Sequence, residues 1–382
     1  MGAVVVEAVR TAIGKRNGAL SGIHPVDLSA LVLDALAVRS GVSPQLIDDV
    51  IWGCVGQVGE QAHDIARGAV LAAQWPESVP GVTVDRQCGS SQQSIHFGVA
   101  GVAAGHYDAV VAGGVESMSR VPIGSAIQLC GDPRSPRIGA RYTEEFNQGV
   151  GAEMMAAKWG FTRRDEDEFA ARSHERAAAA QDAGVFDTQI LAVTLDDGTV
   201  VTKDEGIRRG TTSETLAKLK PAFAADGVIH AGNASQISDG AAAMLVVSDE
   251  FAQKHSLIPL ARIHTAVVTG ADPVMMLGAP IPATEKALAR SGLALADIGV
   301  FEVNEAFAPV PMAWHAEFGA DEERLNPNGG AIALGHPLGA SGARIMTDMI
   351  YHMQRNDIRY GLQTMCEGGG QANATIVELV TR

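Results

Sequence analysis

The chain has 382 residues, 46% of them hydrophobic, and its 44 acidic residues outnumber 29 basic ones to give a formal charge of −15. This length predicts two or more packed domains. The acidic balance argues against general binding to nucleic acid or membrane surfaces, so an anionic ligand needs a local basic patch. Four cysteines without close pairs indicate free thiols rather than disulfides or a zinc site. The start does not resemble a signal peptide, and no run reaches the roughly 18 apolar residues of a membrane span, so we expect a cytoplasmic protein.

Strand-like runs alternate with helical stretches along the chain. With 43 glycines and only 5% aromatic residues, this alternation predicts an α/β architecture. The runs are AVVVEAV near the start, DDVIWGCV at 48–55, DAVVAGG at 108–114, AAMLVVS at 242–248 and VFEVNEA at 300–306.

An internal repeat connects the two ends of the chain. Residues 35–55 resemble residues 286–306: each segment is a helix ending in Ser-Gly, then a loop, an Ile and a strand. Aligning Ser40 with Ser291 gives an offset of 251, which carries Cys88 into the glycine-rich stretch NGGAIALGHPLGASGARI. These matches predict two copies of one fold.

The stretch between the two copies is more polar and predicts an inserted loop domain. The expected domains are residues 1–119, the first half; 120–245, an inserted loop domain that returns to the first half at its end; and 246–382, the second half.

Cys88 stands between a β-branched run and a long stretch without charged residues. This pattern places it at a helix N-terminus, where backbone N–H groups and the helix dipole favour thiolate over thiol. A lone cysteine in an apolar setting is more often a small core residue. The glycine, two serines and two glutamines that follow it favour the nucleophile.

Two further motifs could supply catalytic groups. His336, in GHPLG, lies at the corresponding helix start of the second copy, and cysteine with histidine is the minimum for covalent acyl transfer. A capping or surface histidine is the alternative. Cys366 precedes the glycines 368–370, whose N–H groups could form an oxyanion hole or only a tight turn. Asn304 ends a strand and is costly to bury without a partner.

Together these motifs resemble the thiolases over essentially the whole chain. The resemblance rests on QCGSSQQ around Cys88, NEAFA at 304–308, NGGAIALGHPLGASGAR at 328–344, MCEGGGQA around Cys366 and HAGNASQISDGAAA at 230–243. It implies the thiolase fold: two pseudo-symmetric βαβαβαββ halves in a five-layered α-β-α-β-α core, with an inserted loop domain. The implied activity is CoA-dependent cleavage of a 3-ketoacyl-CoA through an acyl-cysteine, in a ping-pong mechanism, as in fatty-acid or steroid side-chain β-oxidation.

The resemblance also implies the role of each catalytic residue. Cys88 is the acylated nucleophile and His336 takes its proton. Cys366 protonates the leaving acetyl-CoA carbanion, or removes an α-proton in the synthetic direction. His336 and a water held by Asn304 bind the enolate, and the N–H groups of Cys88 and Gly368 bind the tetrahedral oxyanion.

Substrate-binding residues follow from the same resemblance. The implied set for CoA and the acyl group is Arg208, Ser235, Phe223, Ala231, Phe307 and Gln148. The basic stretches IRRG and KLK are candidates for the CoA phosphates, with a solvated charged turn as the alternative. Gln148 stands where many acetoacetyl-CoA-forming thiolases have methionine. With the CGSSQQ turn, it resembles bacterial thiolases that degrade steroid side chains or other bulky acyl groups.

Several other activities remain open on the sequence. They are a biosynthetic acetoacetyl-CoA thiolase, a decarboxylating ketosynthase, a non-catalytic acyl-CoA or lipid carrier on the same fold, and a cysteine hydrolase. Cys366 argues against a ketosynthase, which uses histidine or asparagine there. By resemblance we expect CoA as a substrate, no permanently bound cofactor or metal, a homodimer or homotetramer, and possible β-oxidation partner enzymes.

Overall fold

The computed structural model describes residues 2–131 and 133–380, without the side chains of residues 129 and 130. Each strand-like run named above overlaps a β-strand, so the five strands are confirmed, although the runs at 48–55 and 300–306 extend beyond the strands Asp49–Gly53 and Val300–Val303. The strands are β1 Ala3–Arg10, β2 Gly14–Lys15, β3 Asp49–Gly53, β4 Gly81–Val84, β5 Ala109–Ser117, β6 Val193–Thr194, β7 Val200–Val201, β8 Ser238–Ser248, β9 Ala261–Gly270, β10 Val300–Val303, β11 Tyr360–Glu367 and β12 Gln371–Leu379.

The α-helices range from four to 20 residues in length. They are α1 Pro25–Ser40, α2 Ile65–Ala72, α3 Ser90–Ala103, α4 Ser125–Cys130, α5 Pro136–Arg141, α6 Gln148–Trp159, α7 Arg163–Asp182, α8 Ser213–Leu216, α9 Asp249–Lys254, α10 Pro280–Ser291, α11 Pro309–Phe318, α12 Ala331–Leu334 and α13 Ser341–Asn356.

The sheet repeats one pairing pattern in both halves. Its strand order is β10-β11-β12-β9-β1-β8-β5-β3-β4, with β2 against β8. In the first half β3 is parallel to β5, and β8 lies antiparallel between β5 and β1. In the second half β10 is parallel to β11, and β12 lies antiparallel between β11 and β9. The offset of 251 also separates the starts of α3 and α13, at Ser90 and Ser341, which confirms the predicted duplication.

Three apolar clusters show how the layers stack. One packs α1 and α2, with residues such as Leu33, on the outer face of the first half. A second packs α10 and α11, with residues such as Trp314, on the outer face of the second half. The third lies between the halves and contains Ile95 of α3, Met346 of α13 and strand residues from both copies. With each half of the large sheet counted as one layer, the order is helix, sheet, helix, sheet, helix. This is the five-layered fold that the resemblance implies.

The inserted segment joins β5 to β8 and contains α4 to α8 with the small β6-β7 sheet. Its longest helix, α7, begins with a capping box in which Thr162 and Asp165 bond each other's backbone N–H groups. The expected boundary between residues 245 and 246 falls inside β8, which pairs with both β1 and β5. We therefore propose that the second half begins after Ser248, and we retain the division near residue 120 as a proposal.

The described residues contain neither a membrane-spanning helix nor a cluster of metal-binding side chains. Over residues 2–131 and 133–380, no helix is long and apolar enough to cross a membrane, and no group of three or more His, Cys, Asp or Glu side chains could hold a metal ion. Cys54, Cys88 and Cys366 are free and buried, whereas the side chain of Cys130 lies outside the described part of the chain.

Candidate active site

A tight turn between β4 and α3 holds Cys88. The Ser90 hydroxyl accepts the N–H of Arg86 at 2.9 Å and donates to the carbonyl of Gln87 at 2.6 Å. Gln87 adopts a left-handed φ of 50°, and Gly89 is the N-cap of α3. The turn therefore fixes Cys88 one residue before the helix cap.

The surroundings of Cys88 are apolar, and its thiol is neutral at rest. Cys88 is 3% exposed and packs with Met118, Leu338, Ile345 and Met365. Burial, which is the largest cause, and the nearby carboxylates, first that of Glu367, together raise the pKa of the Cys88 thiol to about 12. A backbone hydrogen bond at the helix N-terminus favours the thiolate, as expected, but the cost of removing a charge from water is larger at this position. Cys88 therefore needs a base.

The base is available in the loop between α12 and α13. The ring Nδ1 of His336 lies 2.6 Å from the Ser341 hydroxyl, and that hydroxyl donates its own proton to the Pro337 carbonyl at 2.8 Å. Nδ1 must then carry the hydrogen, which we assign from this network. Nε2, 3.4 Å from the Asn304 Nδ2 amide, is left as the proton acceptor.

The protonation state of His336 matches this assignment. Burial, with a smaller contribution from the charge of Arg344, lowers its pKa to about 3. The imidazole is thus neutral at physiological pH. Its backbone N–H donates to the Ser238 hydroxyl at 3.1 Å, which fixes the loop to the last strand of the first half.

Cys366 and Asn304 complete the cluster at the ends of neighbouring strands. Asn304 follows β10 and donates its N–H to the Thr364 carbonyl on β11 at 3.1 Å. Burial raises the pKa of the Cys366 thiol well above its usual value, Cys88 raises it further, and a hydrogen bond with the Asn304 side chain opposes the shift. Within the described part of the chain, the buried Asn304 Oδ1 has no partner. The structure therefore brings Cys88, Cys366, Asn304 and His336 to one place.

Gly368 lies against the turn that carries the nucleophile. A Cβ at this position would lie 2.8 Å from the Gln87 Oε1 atom, so only glycine fits without displacing that side chain. The next two residues, Gly369 and Gly370, have φ values of 78° and 74°. Both residues therefore have left-handed backbone conformations, which favour glycine.

A groove of about 490 Å³ is lined by residues of the first half and the inserted segment. It contains three of the expected CoA residues, Arg208, Ala231 and Ser235, together with Lys15, Arg16, Glu205, Gly206, Gln236 and Ile237. Ile237 also packs against the apolar cluster that contains Cys88, so this residue is shared by the groove and that cluster.

The basic residues of the groove only partly match the expectation from IRRG and KLK. Arg208 lines the groove, but Arg209 forms two 2.7 Å hydrogen bonds with Asp182 elsewhere. Lys15 and Arg16 were missed by the sequence reasoning. The basic stretch GKRNG near the start of the chain could have indicated an anion-binding role for them. Only the fold brings this stretch beside Arg208.

The expected acyl-pocket residues form a second group. The rings of Phe223 and Phe307 meet edge to face at 5.9 Å, and the Phe223 ring occupies the space where a Cβ of Gly149 would lie. Gln148 is the first residue of α6, beside that contact. Because Ser235 donates its N–H to the Ala306 carbonyl at 2.9 Å, the Phe307 segment runs alongside the groove.

Sequence reasoning also missed a buried carboxylate that joins the two halves. Glu116, at the end of β5, accepts the N–H groups of Val55, Gly56 and Gly339 at 2.8 to 3.0 Å and the amide of Gln61 at 2.7 Å. It thereby ties the His336 loop to the first half. A lone glutamate in a strand gave no signal for this role.

Two buried thiols, a neutral imidazole and an asparagine amide at the junction of two fold copies define a cysteine-dependent acyltransferase. The chain belongs to the thiolase family: residues 3–250 match the thiolase N-terminal domain, and residues 257–379 match the thiolase C-terminal domain.

Named relatives cover nearly the whole chain. It is 51% identical to a steroid 3-ketoacyl-CoA thiolase of Mycobacterium tuberculosis, over 98% of this chain and 94% of that protein. It is 45% identical to a 3-ketoacyl-CoA thiolase of Erwinia tasmaniensis, over 99% of both. The crystal structure of the Bacillus anthracis acetyl-CoA acetyltransferase superposes with a TM-score of 0.92 at 38% identity, over 99% of both chains.

Proposed function

We propose that this protein cleaves a 3-ketoacyl-CoA with CoA, giving acetyl-CoA or propionyl-CoA and a shortened acyl-CoA. The observation that carries the proposal is the pairing of two protonated, buried thiols with a neutral histidine whose Nε2 accepts protons. Relatives named 3-ketoacyl-CoA thiolase support the degradative direction.

The first half-reaction forms an acyl-cysteine. The Cys88 sulfur attacks the keto carbon as its proton passes to His336, and the N–H groups of Cys88 and Gly368 bind the resulting oxyanion. The carbon–carbon bond then breaks, and the Cys366 thiol protonates the departing enolate of acetyl-CoA. Asn304 supports this step in two ways. Its side chain forms a hydrogen bond with Cys366, and its buried Oδ1 can hold a water molecule beside the enolate.

The second half-reaction returns the enzyme to its starting state. The thiol of CoA attacks the acyl-cysteine, its proton passes to the Cys366 thiolate, and the Cys88 thiolate leaves and recovers its proton from His336. A thioester is exchanged for a thioester of similar energy, so the reaction needs no nucleotide, and we propose that no cofactor is permanently bound.

CoA itself binds in the groove of about 490 Å³. Lys15, Arg16 and Arg208 supply positive charge for its phosphates in a protein with a net charge of −15. Ser235 and Ala231 line the path of the pantetheine, and the Phe223–Phe307 pair with Gln148 borders the acyl group.

We further propose a bulky acyl group, of the steroid side-chain or long fatty-acid kind. Gln148 at the pocket and the steroid thiolase at 51% identity support this assignment. We also propose that the protein works in the cytoplasm as a homodimer or homotetramer, alone or beside partner enzymes of β-oxidation.

CoA-dependent cleavage of acetoacetyl-CoA, compared with that of a ring-bearing 3-ketoacyl-CoA, tests the function. We expect a higher kcat/KM for the larger substrate and loss of activity on both in Cys88→Ala. A preference for acetoacetyl-CoA would instead support a biosynthetic acetoacetyl-CoA thiolase. Near-wild-type cleavage by Cys88→Ala would refute the acyl-cysteine, and a folded protein inactive on both substrates would support a carrier.

A further inference from the structure

The carboxyl group of Glu367 is buried beside the nucleophile, and the reaction described above does not use it. Glu367 ends β11, directly after Cys366, and is fully buried. Its Oε1 occupies the space where a Cβ of Gly89 would lie, so the carboxyl touches the residue next to Cys88. Oε1 accepts the Asn373 N–H at 3.0 Å, whereas Oε2 is buried without a partner among the described residues.

A polar network under α3 holds this carboxyl in place. The Asn373 amide donates to Gln93 Oε1 at 3.2 Å and to His96 Nδ1 at 3.1 Å. His96 Nε2 bonds the Thr375 hydroxyl at 2.7 Å. Because Asn373 is fixed on both its side chain and its backbone, Glu367 has a fixed position against Gly89. Gln93, one of the polar residues after Cys88, thus takes part in the network that holds this carboxyl.

Few charges face Glu367 from the surrounding elements. Arg86, in the turn before Cys88, favours its anion but donates its hydrogen bond to Gln371 at 2.8 Å. Cys366 precedes it on the same strand, and Cys88 faces it from the turn. His96 is neutral, because burial lowers its pKa to about 3.

The charge of Glu367 is coupled to that of the nucleophile. Burial raises the pKa of Glu367 to about 8, so the group changes charge near physiological pH. Among the charged groups that raise the pKa of Cys88, Glu367 acts most strongly, followed by Glu116 and Asp85. Two interacting groups titrate as a pair, so ionising one makes ionising the other harder.

We infer that Glu367 controls the ionisation of the nucleophile: its neutral form permits the Cys88 thiolate to form, and its anion opposes it. Glu367 acts through Cys88 and is therefore a positioning residue rather than a catalytic residue. The inference rests on the proposed role of Cys88 as the acylated residue.

Alkylation of Cys88 by iodoacetamide between pH 6 and pH 10, followed by peptide mass spectrometry, tests the inference without turnover. For wild type, the logarithm of the alkylation rate should rise with pH, and its slope should become smaller near the ionisation of Glu367. Glu367→Gln should match wild type at pH 6.5 and react about tenfold faster at pH 9.5, which corresponds to about one pKa unit. If the alkylation rate of Glu367→Gln differed from wild type by the same factor at every pH, the change would act through packing and the inference would be overturned. An alkylation rate equal to that of wild type at every pH would overturn it as well.

Asp85→Asn is the matched control. Asp85 also acts on Cys88 but is exposed, and its Oδ1 accepts the Gln87 N–H, a bond that asparagine can keep. We expect its alkylation profile to stay within about twofold of wild type at every pH, because water screens an exposed charge. A rate increase at pH 9.5 as large as that of Glu367→Gln would contradict a specific role for Glu367.

Thermal unfolding gives a second readout. A buried carboxyl with a raised pKa binds its proton in the folded state above the pH at which the unfolded chain releases it, so stability falls as pH rises from about 4.5 to about 8. The Tm of wild type should therefore fall relative to that of Glu367→Gln across this window. A Tm difference independent of pH would contradict the inference. If Cys88→Ala kept its thiolysis, the proposed acyl-cysteine would fail, but the coupling between Glu367 and the Cys88 thiol would still be measured, because neither experiment here depends on turnover.

Discussion

At the scale of single residues, the site keeps its reactive groups neutral until substrate arrives. Burial raises the pKa of the Cys88 thiol to about 12 and lowers the pKa of His336 to about 3. In the proposed mechanism, the Cys88 proton therefore passes to His336 only as the sulfur attacks a carbonyl carbon and the charge moves to a bound oxyanion. This arrangement protects the thiol from indiscriminate reaction, because the thiolate is the reactive form.

Cys366→Ala should separate the two chemical steps. Acylation of Cys88 from a simple acyl-CoA needs only His336 and the oxyanion donors, so we expect acyl-enzyme to form in mass spectrometry. Cleavage of a 3-ketoacyl-CoA should fall by at least about 10²-fold, the usual contribution of a positioned acid. Cys54→Ala, which changes a buried thiol of the outer cluster, is the matched control and should retain both steps. Equal loss of both steps in Cys366→Ala would refute this division of roles.

At the scale of elements, glycines let the loop before α13 lie directly on the ends of β3 and β5. A Cβ at Gly339 would lie 2.7 Å from the Gly53 carbonyl oxygen and 2.9 Å from the Cys54 Cα atom. The Gly339 N–H is bonded to Glu116 at 2.8 Å. Because these contacts involve backbone atoms, the loop that carries His336 has one position relative to the Cys88 turn.

Gly339→Ala should disturb this junction. The neighbouring atoms are backbone and cannot rotate away, so we expect the free energy of unfolding to fall by about 1 to 3 kcal/mol in urea titration. The kcat should fall as well, because His336 is displaced. Gly139→Ala, in the middle of α5 with nothing within 4 Å of the added Cβ, should leave stability unchanged or slightly higher. Wild-type stability and kcat in Gly339→Ala would show that the loop tolerates displacement.

At the scale of the whole molecule, one buried arginine ties three parts of the chain together. Arg10 of β1 forms hydrogen bonds of 2.8 and 3.0 Å with Asp204 of the inserted segment. Its Nε donates to Asp348 of α13 at 3.0 Å, and Asp348 also pairs with Arg344 at 3.1 Å. First half, insertion and second half thus share one ion-pair network, buried between the layers.

Arg10→Met should therefore destabilise the assembled fold. It leaves Asp204 without its buried cation, and removing one partner of a buried pair costs about 3 to 5 kcal/mol. We expect this loss in the free energy of unfolding measured in urea. Arg359→Met removes an exposed arginine that pairs with Glu378 and should leave the urea midpoint unchanged. An equal and small effect of both changes would show that the network does not stabilise the fold.

The local sequence is sufficient for the strands, the duplication and the nucleophile. Alternation and glycine placement depend on near neighbours, so β1, β3 and β10 could be found without the fold. The predicted end of the inserted segment, at residue 245, falls inside β8, because the full extent of this strand follows from its pairing with β1 and β5.

The sequence by itself determined the repeated fold, the family and the four residues proposed for catalysis, because each lies in a short motif whose chemistry is local. Only the tertiary structure decided their protonation states, the joining of Lys15 to Arg208 in one groove, and the place of Glu367 against Gly89. The reason is physical: a pKa depends on burial and on charges that are near in space. Glu367 and Cys88 are distant along the chain, and only folding removes both from water and brings their ionisable groups close enough to interact.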